Sequence, residues 1–409
     1  MTEHHVRSRD HLLHMLAEAA ELEHNLLCSY LYAAFSLKQA GDADLSEHES
    51  AAVERWRSSM LGVCTEEMAH LAQVANLMVA VGARPHFDRP NLPVAPGYHP
   101  AGIQVALRRF DLQTLDHFIF LERPEDAPLA DAPAFKPEGP TPRRGEFGVL
   151  MPSAPDYATI GEFYKLLESG FVGLCERLGG EAELFIGAAE YQLRADEIGI
   201  DELSVVTDLR SATRAIELIV VQGEGSPATG EHSHFEQFQG IRDEYERLLA
   251  ARPSFEPSRP VAANPVMRTP QAEQRVHVTG ATAAPLLDAA NAVYSLMVRC
   301  LSAVYDTPWR DAEQRKALLG GAIDMMKLLR ELSNALTAEP AQDGADVHAG
   351  VSFAMLRSSE GLVAGVDVRR VLVQRLRDLG AQLPALHLPA SLAHQMSERV
   401  AGVVESLQS

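Results

Sequence analysis

Glu67 and His70 stand three residues apart in CTEEMAHLAQ, residues 64–73, a stretch that otherwise has the composition of a packed helix. Carboxylate oxygens and a neutral imidazole are good donors for iron or manganese, and this spacing puts both groups on one face of a helix. Met60, Val63, Glu67, His70, Val74, Leu77 and Val81 recur at alternating steps of three and four, the rhythm of an inward seam. Glu67 and His70 are therefore expected in a core, with Glu66 beside the seam. A second seam, Leu16, Ala20, Glu23, Leu27, Tyr30 and Ala34, sends Glu23 to the same interior. An uncompensated buried carboxylate costs several kcal/mol, roughly, so such a cluster calls for a partner, and a divalent cation is one.

A four-helix di-metal site takes one Glu from each of two helices and a Glu-x-x-His from each of the other two. Donors for the remaining half are present. Glu162 shares a face with Leu166, Ser169 and Gly173, and His234 begins a seam through Phe238, Ile241, Tyr245 and Leu248. The glutamate paired with His234 is Glu224, Glu231 or Glu217. Glu231 has the literal spacing but follows Thr229 and Gly230, where a first-turn glutamate commonly serves the helix dipole. Glu224 lies in QGEG, where an interrupted helix can turn its carboxylate back to the site, and is favoured.

These residues need long helices to hold them. Apolar positions at helical spacing predict helices over 10–39 and 46–81, the second opened by a Ser46 and Glu49 capping box. Helical spacing resumes at 156–178 and 207–222, then restarts after QGEGSPATGEHSHF and runs to 250. Between the second and third helices, 83–154 is rich in proline and glycine and reads as an irregular insertion, with short strands around Val105 and Phe118. ARPSFEPSRPVAANP, 251–265, reads as a linker, followed over 266–409 by helical patterns at 281–306, 309–337, 366–381 and 390–408. The expected fold is all-α: a bundle over 1–250, with 83–154 over its site, and an additional C-terminal helical unit.

LAEAAELEHNLLCSYLYAAFSLK, EEMAHLAQVANLMVAVGARPHF, IGEFYKLL, IVVQGEG and SHFEQF together resemble the ferritin-like domain of the iminophenyl-pyruvate dimer synthase (VioB-related) family. FIFLERPED, ANAVYSLMVRCL and HAGVSFAML are similar to it as well, so the resemblance covers most of the chain. It implies a ferritin-like four-helix bundle with a non-haem di-metal centre and a role in natural-product biosynthesis. By position, Glu23, Glu67, His70, Glu162, Glu224 and His234 would be the ligands, holding two iron ions, with manganese or a mixed pair suiting the same donors. The expected activity is O2-dependent oxidation of a small, amino-acid-derived substrate. The rival readings are an iron-storing ferritin-like protein and a metal-free partner subunit.

Composition bounds the partners. Lys+Arg 36 against Asp+Glu 56 gives a net charge of −20 in 409 residues, which argues against nucleic acid and anionic membranes, since both need clustered cations. No apolar run reaches the length of a membrane span, and MTEHHVRSRD lacks the apolar core of a signal peptide, so a cytoplasmic location is expected. The four cysteines are widely spaced and are read as buried free thiols. The C-terminal helical unit offers a surface for a homodimer.

Overall fold

The computed structural model describes residues 6–39, 41, 42, 44–95, 98, 99, 103–135, 152, 154–225, 233–268, 275–355, 367–386, 388 and 390–408. Its helices are α1 (Arg9–Ser36), α2 (Glu47–Ala80), α3 (Leu112–Leu121), α4 (Ile160–Leu178), the single turns α5 (Glu181–Leu184) and α6 (Ala195–Ile198), α7 (Leu209–Glu224), α8 (His234–Ala251), α9 (Ala283–Tyr305), α10 (Ala312–Leu336), α11 (Val368–Gln382) and α12 (Ala390–Gln408). Among the described residues the strands are β1 (Pro265–Val266) and β2 (Val276–His277), paired in parallel. The all-α expectation holds.

Side-chain caps start the helices that carry the site. Ser8 accepts from His11 N to open α1, and the Ser46–Glu49 capping box opens α2. Thr159 accepts from Glu162 N at α4, and Ser233 and Glu236 form a capping box at α8. Each satisfies backbone N–H groups that a helix start leaves without partners. α4 stops at Gly179, whose φ of 94° is a left-handed C-cap. α1 packs along α2, α4 along α7, and α3 along α8, while α1 meets α4 and α2 meets both α7 and α8.

The insertion differs from expectation at Phe118, which lies in a helix and not in a strand. Asp111 caps α3 by accepting from Thr114 N at 2.8 Å. The ten-residue run buries Leu115, Phe118, Ile119, Phe120 and Leu121 together, and Phe118 meets the rings of Tyr30 and Phe238 with centroids 4.6 and 5.3 Å away. Val105 lies outside a strand, its carbonyl accepting from Val94 N.

Residues 251–265 are strapped to the end of α1. Lys38 N donates to Pro257 O at 2.9 Å, Arg259 N to Ser36 O at 2.8 Å and Asn264 N to Leu107 O at 2.9 Å, and Phe255 is buried against Trp56 and Tyr245. Beyond this strap α9 pairs with α10, α12 packs on α10 and α11, and α10 reaches back to α1. One hydrophobic cluster runs from Val6 to Leu407 through both halves of the chain. All four cysteines are free and buried. No helix of the described residues is long and apolar enough to cross a membrane.

Candidate metal centre

α1, α2, α3 and α8 converge on five buried donors: Glu23, Glu67, His70, Glu122 and His234. Among the described residues two groups have ligand atoms close enough to hold a cation: Glu23, Glu67 and His70 form one, and Glu67, Glu122 and His234 the other. Glu67 belongs to both. Its Oε2 lies 3.8 Å from His70 Nδ1 and its Oε1 lies 3.0 Å from His234 Nδ1. Glu23 Oε2 is 3.3 Å from His70 Nδ1, and Glu122 Oε2 is 3.8 Å from His234 Nδ1.

Outer contacts orient both rings. His70 Nε2 lies 2.8 Å from Gln222 Oε1, and His234 Nε2 lies 2.7 Å from Glu66 Oε2. Carbonyl and carboxylate oxygens only accept, so each Nε2 carries the proton and donates it, and each Nδ1 faces the cluster. This is the arrangement by which outer hydrogen bonds fix a ligating histidine. The far oxygens of the two outer carboxylates are held alike: Tyr164 donates to Glu23 Oε1 and Tyr30 to Glu122 Oε1.

Burial and mutual charge set the electrostatics of the cluster. Burial, reinforced by the Glu67 charge, pushes Glu23 up to about 7. Burial opposes the Glu67 charge too, but the adjacent His234 and His70 imidazoles outweigh it and hold that carboxyl below the usual range. Burial disfavours a charged His70, yet Glu23 and Glu67 raise it to about 10. His234 is raised as well, with burial opposing and Glu122, Glu66 and Glu67 prevailing. Protons thus hold the acids together where a cation could. Although His234 Nδ1 is close to Glu67 Oε1, it and Glu67 Oε2 complete no hydrogen bond among the described residues. A buried carboxylate oxygen and ring nitrogen that complete no hydrogen bond suit an iron- or manganese-type ion, and metal binding would displace the protons. The residues fit such a centre.

A cavity of about 20 Å³ adjoins the cluster, with Glu23, Glu67, His70, Glu122 and Tyr164 on one side and Gly161, Ile219, Gly223 and Glu224 among those closing it.

Four of the six residues expected as ligands, Glu23, Glu67, His70 and His234, are brought together here. Glu162 is not: it sits in the first turn of α4, and its Oε2 accepts from Ala158 N at 2.6 Å. Glu224 lines the cavity, with its Oε1 accepting from Gly161 N at 3.0 Å. Burial lifts the Glu224 carboxyl to about 7 against the lowering effect of that N–H. Glu217 is exposed on α7, and Glu231 lies outside the described residues. Glu122, at the C-cap of α3, is the donor that sequence reasoning missed. Its signal is Leu115, Phe118 and Glu122 in three-four spacing behind the Asp111 cap.

A family profile described as ferritin-like matches residues 16–243. The chain is similar to the dichlorochromopyrrolate synthase of Lentzea aerocolonigenes, 28% identical over 419 positions that cover 91% of this chain and 39% of that protein. It is also similar to the 2-imino-3-(indol-3-yl)propanoate dimerase of Chromobacterium violaceum, 27% identical over 361 positions covering 82% of this chain and 33% of that protein. The chain therefore spans well under half the length of either relative. Among solved structures, a ferritin-like protein from Caulobacter vibrioides is similar at 19% identity and a TM-score of 0.44, covering 74% of this chain and 88% of that one.

Proposed function

The chain belongs to the ferritin-like family, and from that premise we propose that it is an enzyme with a two-metal carboxylate and histidine centre that oxidises a small, amino-acid-derived substrate with O2. The observation that carries the reading is the sharing of Glu67 between two buried donor groups. A carboxylate placed to serve two ions is what a di-metal site requires and what a hydrogen-bonded core pair does not. Similarity to two biosynthetic enzymes, one named for an indolyl imino acid, supports natural-product biosynthesis and a nitrogenous, amino-acid-derived substrate.

Glu23, Glu67, His70, Glu122 and His234 would hold the metals. A redox-active pair such as iron would, when bound, pass electrons to O2 and recover them from the substrate, which is thereby oxidised. The chain's own residues prepare the place. Gln222 and Glu66 hold the imidazoles with Nδ1 inward, Tyr164 and Tyr30 fix the outer carboxylates, and Leu26, Leu121, Ile160 and Ile219 give the cavity an apolar wall. Manganese suits the same donors.

Iron storage is favoured by one observation, the size of the cavity: about 20 Å³ admits a water-sized molecule and not an indole. The two readings separate on one preparation. Anaerobic Fe(II) loading is expected to give about two ions per chain, as a ferritin-like di-metal site holds, and the loaded protein is expected to consume O2 in excess of its iron when an α-imino acid is supplied. O2 uptake that stops at oxidation of the bound iron selects storage, and failure to bind a transition metal after reconstitution removes both.

A further inference from the structure

The two halves of the centre are closely matched, which makes their difference informative. Each has a terminal carboxylate fixed by a buried phenol, Glu23 by Tyr164 and Glu122 by Tyr30. Each has a histidine with Nδ1 inward, and they share Glu67. The histidines differ in what stands behind them: a neutral amide, Gln222, behind His70, and a carboxylate, Glu66, behind His234. They differ also in access. The cavity is lined by all three carboxylates, Glu23, Glu67 and Glu122, and by the His70 imidazole, whereas His234 is fully buried and is not among its lining residues.

We infer that the centre is inequivalent by construction: the half at Glu122 and His234 takes its metal ion first and holds it more tightly, and the half at Glu23 and His70, whose imidazole meets the cavity, is the weaker, exchangeable one. This rests on the proposed metal centre. A carboxylate accepting from the outer N–H makes an imidazole a stronger donor and adds a negative charge near the ion, whereas an amide carbonyl orients the ring and adds no charge. Both rings are held equally close at their outer nitrogens, 2.8 and 2.7 Å, so orientation alone does not separate them. Glu66 is about two-fifths exposed, which weakens its field through solvent without removing the charge-assisted bond.

The consequence is an order of filling. The half at His234 acts as an anchor, and the half at His70, whose ring meets the cavity, is the one whose affinity for metal is set by Gln222.

The test is a Co(II) titration of the full-length apoprotein, followed by the cobalt absorption bands and by calorimetry. Two steps are expected, separated by about tenfold to a hundredfold in affinity, the range over which outer hydrogen-bond partners act on metal sites. Glu66→Gln, which keeps an acceptor for His234, should weaken the tight step by about tenfold and narrow the gap. Gln222→Glu should strengthen the weak step. His70→Ala should leave the tight step standing, and circular dichroism on each variant checks that the fold is kept. Two steps of equal affinity, a tight step unmoved by Glu66→Gln, or a tight step lost in His70→Ala would overturn the inference while leaving the metal centre in place. Absence of any cobalt or iron binding would instead remove the centre itself, and the inference with it.

Discussion

Both halves of the proposed centre share Glu67, whose two oxygens face different histidines. The terminal carboxylates carry no such double duty, so their loss should be selective. Glu122→Ala is expected to cost the ion at His234 and leave the one at His70, while Glu162→Ala keeps both, because Glu162 caps its own helix. Metal analysis of the two variants after identical reconstitution checks this; equal loss in both would return Glu162 to the ligand set. Glu23, Glu67 and His70 were legible in the sequence because two long helices display them on a regular seam. Glu122 was not, because its helix is short and embedded in proline-rich chain, and three consecutive apolar residues, Phe118, Ile119 and Phe120, read equally well as a strand. Glu162 has the seam position, but a first-turn glutamate beside a threonine cap has a local partner that periodicity does not show.

The last turn of α7 is the element that closes the site. Gln222 reaches His70, Gly223 lies where an added Cβ would come 3.1 Å from Glu122 Oε2, and Glu224 binds the start of α4 at Gly161 N. Gly161 is glycine for a spatial reason: a Cβ there would fall 2.0 Å from Glu224 Oε1. Gly161→Ala should therefore expel the Glu224 carboxyl and lose its hydrogen bond, about 0.5–1.5 kcal/mol. Combining it with Glu224→Ala should cost less than the sum of the single changes, since the clash and the bond are one interaction. Urea unfolding of the three variants measures the coupling, and strict additivity would contradict it. The sequence placed a helix ending near QGEG; it could not show that the ending meets another helix's first turn, because that contact joins residues 63 positions apart.

At the scale of the molecule, a single core joins the bundle to α9–α12. Arg315 on α10 is buried and donates through Nε and Nη2 to the two oxygens of Glu197 on α6, at 2.6 and 2.9 Å, and to the carbonyls of Val304, Thr307 and Gln192. Burial opposes the Glu197 charge, but the Arg315 bonds hold its carboxyl below the usual range. The sign follows: this stabilisation is complete above the ordinary glutamate value of about 4.3 and is lost as pH falls through the lower folded value. Glu197→Ala should lose about 3 kcal/mol at neutral pH by stranding a buried cation, and its Tm should fall less than that of the parent as pH drops below about 4. Parallel melting curves against pH would refute the pairing. The four C-terminal helices were readable from spacing, but their attachment was not, since nothing local in ANAVYSLMVRCL names its partner on α1. That partner lies beside the centre: Tyr294 on α9 donates to His24 Nε2 at 2.6 Å, His24 being Glu23's neighbour, and Arg89 joins Tyr294 to Cys28. For gene recombination this makes the C-terminal half a poor unit of exchange. A chimera joined within 251–265 would inherit one side of a buried polar network without the other, so the two halves can change only by matched substitutions across their seam.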